Sequence, residues 1–202
     1  MKRNVLDLLA AATVQDISVT DGKRVSNERT QSSGWLWDHD HHLLYKISKK
    51  VSFLTGLETF RPRVNGRIEA RIMEAEAWQL GLYGSGGHYL PHFDAFPPDN
   101  LPSDARSGGT WVGNRIATVM FYLSNLVGGF TAFPNMGVAA RPREGTAVFW
   151  YNLEEDGERA ELSLHGACPT ALGIKWVSNK WIREGAQISR RPCPAHHSTL
   201  ST

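Results

Sequence analysis

The sequence predicts a mainly β fold, a double-stranded β-helix (jelly roll) with helices packed on one of its sheets. Downstream of residue 70, short runs rich in β-branched and aromatic residues alternate with Gly and Pro, as in β-sandwiches and barrels. No helical pattern separates these runs, which argues against a parallel sheet built from βαβ units. The predicted strands are residues 78–83, 88–95, 115–123, 130–133, 145–151, 160–167 and 173–182.

One amphipathic helix is predicted ahead of these strands. Its apolar residues recur at spacings of three and four, lysines occupy the opposite face, and Gly56 ends it. The apolar face consists of Leu43, Leu44, Ile47, Val51 and Leu54. The His and Asp residues at 38–42 precede this pattern, and we interpret them as capping residues rather than metal ligands.

Length and composition indicate one globular domain. The chain has 202 residues, 41% of them hydrophobic, and its 22 basic and 20 acidic residues are well mixed. This charge pattern does not indicate a nucleic-acid partner, and no apolar run approaches the roughly 20 residues that a membrane helix needs. Met1–Arg3 and the apolar stretch Val5–Ala12 mimic a signal peptide, but Asp7 interrupts the stretch, which favours an amphipathic helix.

The longest connection between predicted strands covers residues 96–114. It holds three prolines, three glycines and several Asp, Asn and Ser residues, so we expect it to form neither helix nor strand. Loops of this length in compact domains are usually functional or disordered. We therefore expect a mobile lid beside the active site.

Two potential metal ligands lie close together in the predicted strand 88–95. Side chains at positions i and i+2 of a strand share one face, so His92 and Asp94 can bind the same ion. Pro91 disfavours a helix, in which these side chains would diverge. His165, on a distant predicted strand, supplies a third ligand. Two histidines and one carboxylate form the facial triad of oxygen-activating Fe(II) enzymes, which leaves the opposite positions open.

Lys175 follows His165 after a tight connection at residues 169–172. Antiparallel pairing about this turn would place Lys175 across from, or diagonal to, His165. Alternation places Lys175, Val177, Asn179 and Trp181 on one face of the strand. A buried cation requires an anionic partner, which the far carboxylate of an iron-chelating 2-oxo dicarboxylic acid would provide.

Two other interpretations of these residues stay open. The first is a set of satisfied polar side chains within a β core, since a His-Xaa-Asp pair occurs by chance in many chains. The second is a zinc hydrolase with the same three ligands. Such an enzyme would need a general base near the open position and would have no use for Lys175.

Several strings of the sequence resemble one known family. They are LYGSGGHYLPHFD, GNRIATVMFYLSN, GTAVFWYNL, HGACP, and KWVSNKW followed by RRPC. They are similar to the C-terminal catalytic domain of the collagen prolyl 4-hydroxylase α subunit, an Fe(II)- and 2-oxoglutarate-dependent dioxygenase. The resemblance runs from about residue 10 to residue 193 and is dense from residue 78 onward. It implies hydroxylation of peptidyl proline at C4 in X-Pro-Gly sequences of procollagen or another proline-rich peptide, coupled to oxidative decarboxylation of 2-oxoglutarate to succinate.

The resemblance implies three groups of site residues. The iron ligands are His92, Asp94 and His165. The residues that bind the distal carboxylate of 2-oxoglutarate are Lys175, Tyr83 and Thr131. The residues that contact the substrate peptide are Tyr89, Arg115 and Trp181, although without the resemblance Tyr89 and Trp181 would be ordinary packing residues.

The two cysteines, Cys168 and Cys193, lack the paired spacing of a zinc site, so the pattern leaves a disulfide and two free thiols open. The resemblance implies the disulfide, and with it the oxidising lumen of the endoplasmic reticulum. It also implies assembly with protein disulfide isomerase as the β subunit, O2 as a cosubstrate, and L-ascorbate to reduce oxidised iron.

The ends of the chain depart from this family. The family's N-terminal domains and the first strand of its catalytic domain have no counterpart in the sequence. We therefore expect residues 1–193 to form an N-terminally incomplete dioxygenase domain and residues 194–202 a disordered tail. Two further functions stay open: a truncated, non-catalytic peptide-binding module, and a dioxygenase that acts on another peptide residue.

Overall fold

The computed structural model describes residues 28–60, 74–101 and 112–191, together with the backbone of seven short strands outside these ranges. The start of the chain at residues 1–9 and the predicted tail at residues 194–202 lie outside the described residues. The part described contains helix α1 (His42–Thr55) and eighteen strands. The strands are β1 (Ala10–Ala11), β2 (Thr13–Gln15), β3 (Lys23–Val25), β4 (Ser32–Leu36), β5 (Arg63–Val64), β6 (Arg67–Ile68), β7 (Trp78–Tyr83), β8 (Tyr89–His92), β9 (Arg106–Ser107), β10 (Thr110–Trp111), β11 (Arg115–Tyr122), β12 (Val127–Gly128), β13 (Thr131–Phe133), β14 (Val138–Ala140), β15 (Ala147–Tyr151), β16 (His165–Ala167), β17 (Thr170–Leu172) and β18 (Lys175–Arg183).

Two antiparallel sheets form the core of the fold. The larger has six strands in the order β1-β4-β7-β18-β11-β15, and the smaller has four in the order β14-β13-β16-β8. One face of the larger sheet, which we call the inner face, packs Tyr83, Tyr122 and Val177 against Tyr89 and Ala167 of the smaller sheet. The predicted jelly roll is therefore confirmed.

Helix α1 packs on the outer face of the larger sheet. Leu44 and Val51 of the helix join Trp78, Leu80 and Ile182 of the sheet in one buried cluster. Alternation along β7 and β18 produces this division, because successive side chains of a strand point to opposite faces. Helix α1, the single α-helix of the described residues, thus covers the outer apolar face of the larger sheet.

The polar cluster at residues 38–42 secures the start of this helix. His41 is the N-cap, and its Nδ1 accepts a hydrogen bond from the backbone N–H of Leu43. Asp38 does not cap the helix; its carboxylate accepts from Trp78 Nε1 at 2.9 Å and from the buried Lys180 Nζ at 3.2 Å. The cluster is therefore structural, as predicted, although a histidine rather than a carboxylate is the cap.

Most predicted strand boundaries agree with the structure. β7 is matched to the residue, and β11, β13, β15 and β18 begin and end within two residues of the prediction. The prediction was wrong at two ends: β8 stops at His92, and residues 161–163 form a 3-10 turn ahead of β16. The predicted helix at Val5–Ala12 was also wrong where it can be compared, because Ala10–Ala11 forms strand β1 and pairs with β4.

The long connection at residues 96–114 contains more regular structure than predicted. A 3-10 turn occupies Pro98–Asn100, and the backbones of β9 and β10 pair with each other. Asn114 ties the two ends of this loop together: its Nδ2 donates to the carbonyl of Phe96 at 2.8 Å, and its Oδ1 accepts from the Phe96 N–H at 2.9 Å. Motion of this loop stays a prediction. Separately, no helix within the described ranges is long and apolar enough to cross a membrane.

Candidate active site

His92, Asp94 and His165 converge at one end of the smaller sheet. His92 on β8 and His165 on β16 are directly opposite each other in neighbouring strands, and Asp94 follows β8. The Nε2 atoms of His92 and His165 lie 3.7 and 3.8 Å from the two carboxylate oxygens of Asp94. Within the described ranges, this is the one group of three such side chains close enough to share a metal ion.

Both histidines are oriented by backbone carbonyls. The Nδ1 atoms of His92 and His165 lie 2.9 Å from the carbonyl oxygens of Leu90 and Ser163, respectively. Because a carbonyl oxygen only accepts, each Nδ1 carries the proton and each Nε2 presents a lone pair toward Asp94. This arrangement is typical of metal-binding histidines.

The carboxylate of Asp94 is held by two buried residues of the larger sheet and its flank. Thr118 Oγ1 donates to Asp94 Oδ2 at 2.7 Å, and Asn152 Nδ2 donates in turn to Thr118 Oγ1 at 2.8 Å. Neither residue was predicted as part of the site. The sequence offered one signal, Thr118 itself, which is a polar residue within the apolar run that follows Arg115 in β11.

The charges of the three side chains suit a divalent metal ion. Burial raises the pKa of Asp94, but attraction to His165, His92 and Arg115 outweighs this and lowers the pKa to about 2. Burial, assisted by His165, lowers the pKa of His92 to about 3. An ionised carboxylate therefore faces a neutral imidazole near neutral pH. Ligands bound about 2 Å from one ion lie roughly 3–4 Å apart, so the observed spacing fits a metal such as Fe(II).

Lys175 lies on the inner face of the larger sheet, directly opposite Tyr83 on β7. It is 1% exposed, and its Nζ lies 5.3 and 5.8 Å from the ring centroids of Tyr83 and Tyr122. Burial lowers the pKa of Lys175 to about 8, with a partial offset from the nearby Cys168. No ion pair joins Lys175 to a carboxylate in the part of the chain that the structure describes. Among the described residues, the lysine is therefore a buried cation without an anionic partner.

The predicted pairing of Lys175 with His165 was wrong. β18 pairs with β7 and β11, whereas β16 pairs with β8 and β13, so the two residues belong to different sheets. Residues 170–172 do not form a tight turn but strand β17, which pairs with β12; Gly173, at φ 96°, follows it. The predicted alternation in β18 is confirmed, since its partners place Lys175, Val177, Asn179 and Trp181 on the inner face.

Tyr83 lies opposite Lys175, and Thr131 is bonded to Tyr122, whose ring also faces Lys175. Tyr83 and Thr131 are both buried, and burial raises the pKa of Tyr83, which keeps its hydroxyl protonated. Thr131 Oγ1 accepts a hydrogen bond from Tyr122 OH at 2.7 Å. Gly129 passes so close that a Cβ there would lie 3.3 Å from Lys175 Cδ and 2.6 Å from Leu126 Cδ1. The absence of a side chain at residue 129 thus leaves space for the lysine stem.

The residues expected to contact a peptide form two groups: Tyr89 lies against a metal ligand, and Arg115 lies against Trp181. The Tyr89 ring stacks on the His92 ring with centroids 3.6 Å apart, so it borders the metal ligands directly. Trp181 is 5% exposed and is covered by the Arg115 guanidinium, 3.8 Å from its centroid. Arg115 forms two hydrogen bonds of 2.7 and 2.8 Å to Glu76. Contact of these residues with a peptide stays a prediction.

A row of polar side chains beside Tyr89 was not predicted. Arg29 Nη2 donates to Gln79 Oε1 at 3.0 Å, and its guanidinium lies 4.8 Å from the centroid of Tyr89. Gln31 lies against Gly81, where even a Cβ would clash with the Gln31 amide. Only tertiary structure brings Arg29 and Gln79 together, because they are fifty residues apart.

The predicted disulfide cannot be followed through the described residues. Cys168 is half-buried and has no disulfide partner among the described residues, and Cys193 lies outside them. The pairing of Cys168 with Cys193 stays a prediction.

Comparison with known sequences identifies related proteins. A family model described as 2OG-Fe(II) oxygenase superfamily matches residues 78–183, just over half of the chain. Prolyl 4-hydroxylase subunit alpha-1 of Rattus norvegicus is 41% identical over 186 residues, which make up 92% of this chain and 32% of the relative. Prolyl 4-hydroxylase subunit alpha-2 of Caenorhabditis elegans is 46% identical over 157 residues, or 75% of this chain and 29% of the relative. The chain spans about a third of the length of these curated relatives.

Comparison with solved structures agrees with this result. The viral collagen prolyl hydroxylase from Paramecium bursaria Chlorella virus-1, in its 2OG complex, has a TM-score of 0.58 and 27% identity to the chain. The match covers 77% of this chain and 79% of the viral protein. The region matched by the family model includes His92, Asp94, His165 and Lys175. The chain therefore belongs to the 2OG-Fe(II) oxygenase superfamily, whose metal and cosubstrate are the two that this site fits.

Proposed function

We propose that this protein hydroxylates C4 of peptidyl proline in collagen-like X-Pro-Gly sequences and couples this reaction to oxidative decarboxylation of 2-oxoglutarate to succinate. The observation that carries the proposal is the combination of the three metal ligands with a buried lysine that has no counter-ion among the described residues. A zinc hydrolase would have no use for that lysine. The proline specificity is supported by the names of the relatives, which are prolyl 4-hydroxylase α subunits and a viral collagen prolyl hydroxylase.

Each group of site residues has one task in this reaction. His92, Asp94 and His165 would hold Fe(II), which supplies the oxidative chemistry when O2 is the second cosubstrate. Lys175 would neutralise the distal carboxylate of 2-oxoglutarate, while Tyr83 and Thr131 offer hydroxyl groups to the same carboxylate. Tyr89, Arg115 and Trp181 would orient the peptide. The buried position of Lys175 and Tyr83 excludes water from the bound carboxylate.

The test is incubation of the protein with a (Pro-Pro-Gly) repeat peptide, Fe(II) and O2, with and without 2-oxoglutarate. We expect mass spectrometry to detect one added oxygen atom on proline only when 2-oxoglutarate is present, with one succinate released per hydroxylation. His165→Ala and Asp94→Ala should abolish both products. Peptide binding without succinate would instead indicate the non-catalytic module, and oxygen on another residue would indicate a different peptide dioxygenase.

We further propose that L-ascorbate keeps the metal reduced between turnovers, a role implied by the resemblance to the collagen prolyl 4-hydroxylases. An uncoupled turnover, in which 2-oxoglutarate is consumed without hydroxylation, would leave the iron oxidised. Ascorbate should therefore prolong the linear phase of hydroxylation without changing its initial rate. An initial rate that depends on ascorbate would contradict this role.

The same resemblance supports proposals about environment and assembly. We propose a disulfide between Cys168 and Cys193, residence in the lumen of the endoplasmic reticulum, and association with protein disulfide isomerase as a β subunit. Alkylation of the purified chain with and without prior reduction tests the disulfide, because a bonded pair is labelled only after reduction. Co-purification with the isomerase tests the assembly.

A further inference from the structure

Trp35 presents a large aromatic surface beside the proposed peptide site. On β4 it pairs with Gln79, which pairs with Asn179 on β18, so all three side chains lie on the inner face. The ring of Trp35 lies 5.8 Å from the ring of Trp181, at an interplanar angle of 42°. Trp35 nevertheless remains 43% exposed. The two indoles thus form a continuous aromatic strip that runs from Trp181 toward the edge of the larger sheet.

Trp181 offers little free surface of its own. It is 5% exposed, and Arg115 covers one face of its ring. Its partner across β11 is Thr118, the residue that hydrogen-bonds Asp94, so Trp181 marks the end of the strip nearest the metal ligands. A peptide whose target residue lies at the metal would therefore continue over the exposed indole of Trp35.

We propose that Trp35 is a specificity-determining residue that binds a proline flanking the proline to be hydroxylated. The inference rests on the proposed function and deepens it. A proline-rich segment adopts the polyproline II conformation, which rises about 3.1 Å per residue, so the 5.8 Å between the two indoles corresponds to about two residues. Aromatic grooves bind such segments by packing against proline rings. Trp35 therefore selects a repeat with proline, rather than another residue, about two positions from the target.

The experiment compares two fluorescein-labelled peptides, a (Pro-Pro-Gly) repeat and an (Ala-Pro-Gly) repeat, which keep the same target proline and differ only at its flanks. Fluorescence anisotropy would measure the dissociation constant of each peptide for the full chain. We expect the wild type to prefer (Pro-Pro-Gly). Trp35→Leu should raise the dissociation constant of (Pro-Pro-Gly) about 3- to 10-fold and that of (Ala-Pro-Gly) by less than about twofold. The variant would then lose the preference for (Pro-Pro-Gly).

Two variants separate this role from a general effect on folding. Trp35→Phe keeps an aromatic ring and should retain most of the preference. Trp37 is the matched control: it is 47% exposed but has its ring beside His39, so Trp37→Leu should change neither dissociation constant. Circular dichroism would establish that all three variants are folded.

The outcomes are distinguishable. Two results would overturn the role of Trp35 and leave the proposed function intact. In the first, Trp35→Leu and Trp35→Phe bind the peptides equally well. In the second, Trp35→Leu loses the same amount of affinity for both peptides. A wild-type protein that binds neither peptide would overturn the proposed function, and the inference with it.

Discussion

Lys175 is the residue whose environment most directly requires a ligand. A lysine that is 1% exposed and has no carboxylate partner in the described part of the chain is costly to keep charged, and an anionic ligand removes that cost. We expect Lys175→Met to weaken 2-oxoglutarate binding by about 30- to 1,000-fold, because the ligand carboxylate would be buried without a cation. Calorimetry with Mn(II) in place of Fe(II) measures both affinities. Equal losses of metal and 2-oxoglutarate affinity would show that Lys175 is structural.

The protonation of Lys175 should make 2-oxoglutarate binding depend on pH. Burial lowers the pKa of Lys175 from 10.5 to about 8, and a bound carboxylate would raise it again. Above about pH 8 binding must therefore take up a proton, and affinity should fall by up to about tenfold per pH unit. Tyr83 and Tyr122 also face Lys175, but burial raises the pKa of both, so they remain neutral over this range.

Measurement of 2-oxoglutarate affinity between about pH 7 and 9.5 would test this dependence. The guanidinium of Lys175→Arg stays protonated, so this variant should lose the decline. The stability of the ligand-free protein should change in the opposite direction. The unfolded state binds a proton more tightly at this lysine, so the free energy of unfolding rises as pH increases from about 8 to 10.5. A decline in affinity that persists in the Arg variant would contradict the assignment to Lys175.

Thr118 is expected to affect metal affinity although it is not itself one of the three metal-binding residues. Its hydroxyl donates to Asp94 and accepts from Asn152, which orients the carboxylate. We expect Thr118→Val to lower the metal affinity about 10- to 100-fold, as measured by calorimetry with Mn(II). Thr146→Val, at an exposed threonine that bonds only to a nearby carbonyl, is the control and should bind metal normally. Similar affinities in the two variants would contradict the role of Thr118.

The helix and strands could largely be predicted because each has one face that must be buried. The period of the apolar residues identified α1, and alternation in β18 identified the face that carries Lys175 and Trp181. The pairing of Lys175 with His165 could not be predicted in this way. Closeness in sequence favours a hairpin, whereas the jelly roll sends these two strands to different sheets, and no local pattern records that choice.

The packing of α1 on the larger sheet can be tested by its contribution to the free energy of unfolding. Leu44 is 3% exposed within the outer core, while its neighbour Leu43 is 50% exposed. We expect Leu44→Ala to lower the free energy of unfolding by about 2–5 kcal/mol, because it opens a cavity beneath the helix. Leu43→Ala should change it by less than about 0.5 kcal/mol. Urea denaturation measures both, and equal effects would contradict the packing described for α1.

For the whole molecule, the three metal ligands join parts of the chain that are far apart in sequence. His92 and Asp94 lie at the end of β8, and His165 begins β16, so the ion binds only when the smaller sheet is formed. Mn(II) at about 100 times its Kd should stabilise the fold by about 2.7 kcal/mol, or about 5–10 °C in Tm. Calorimetric scans with and without the ion test this, and His165→Ala should remove the effect. A similar shift in that variant would place the ion elsewhere.

The residues of the candidate site could be predicted from the sequence better than the residues that surround them. Ligand chemistry and spacing identify His92, Asp94, His165 and Lys175, because few residue types can perform those tasks. Their neighbours come from other parts of the chain and depend on the register of strands: Thr118 and Asn152 orient Asp94, and the Arg29–Gln79 pair lies beside Tyr89. Residues that act by contacting a site residue can be identified only once the fold is known.

The two hydrogen bonds between Asn114 and Phe96 have a consequence for how this domain can evolve. They fasten the long connection at its base, and Arg183 of β18 holds the same end by donating to the carbonyl of Gly113 at 3.1 and 2.6 Å. Because these bonds hold the end of the connection, β11, which follows Asn114, keeps its place beside the metal ligands when residues further out in the connection change. The connection can therefore vary in sequence without moving Arg115 and Thr118, which lie on β11.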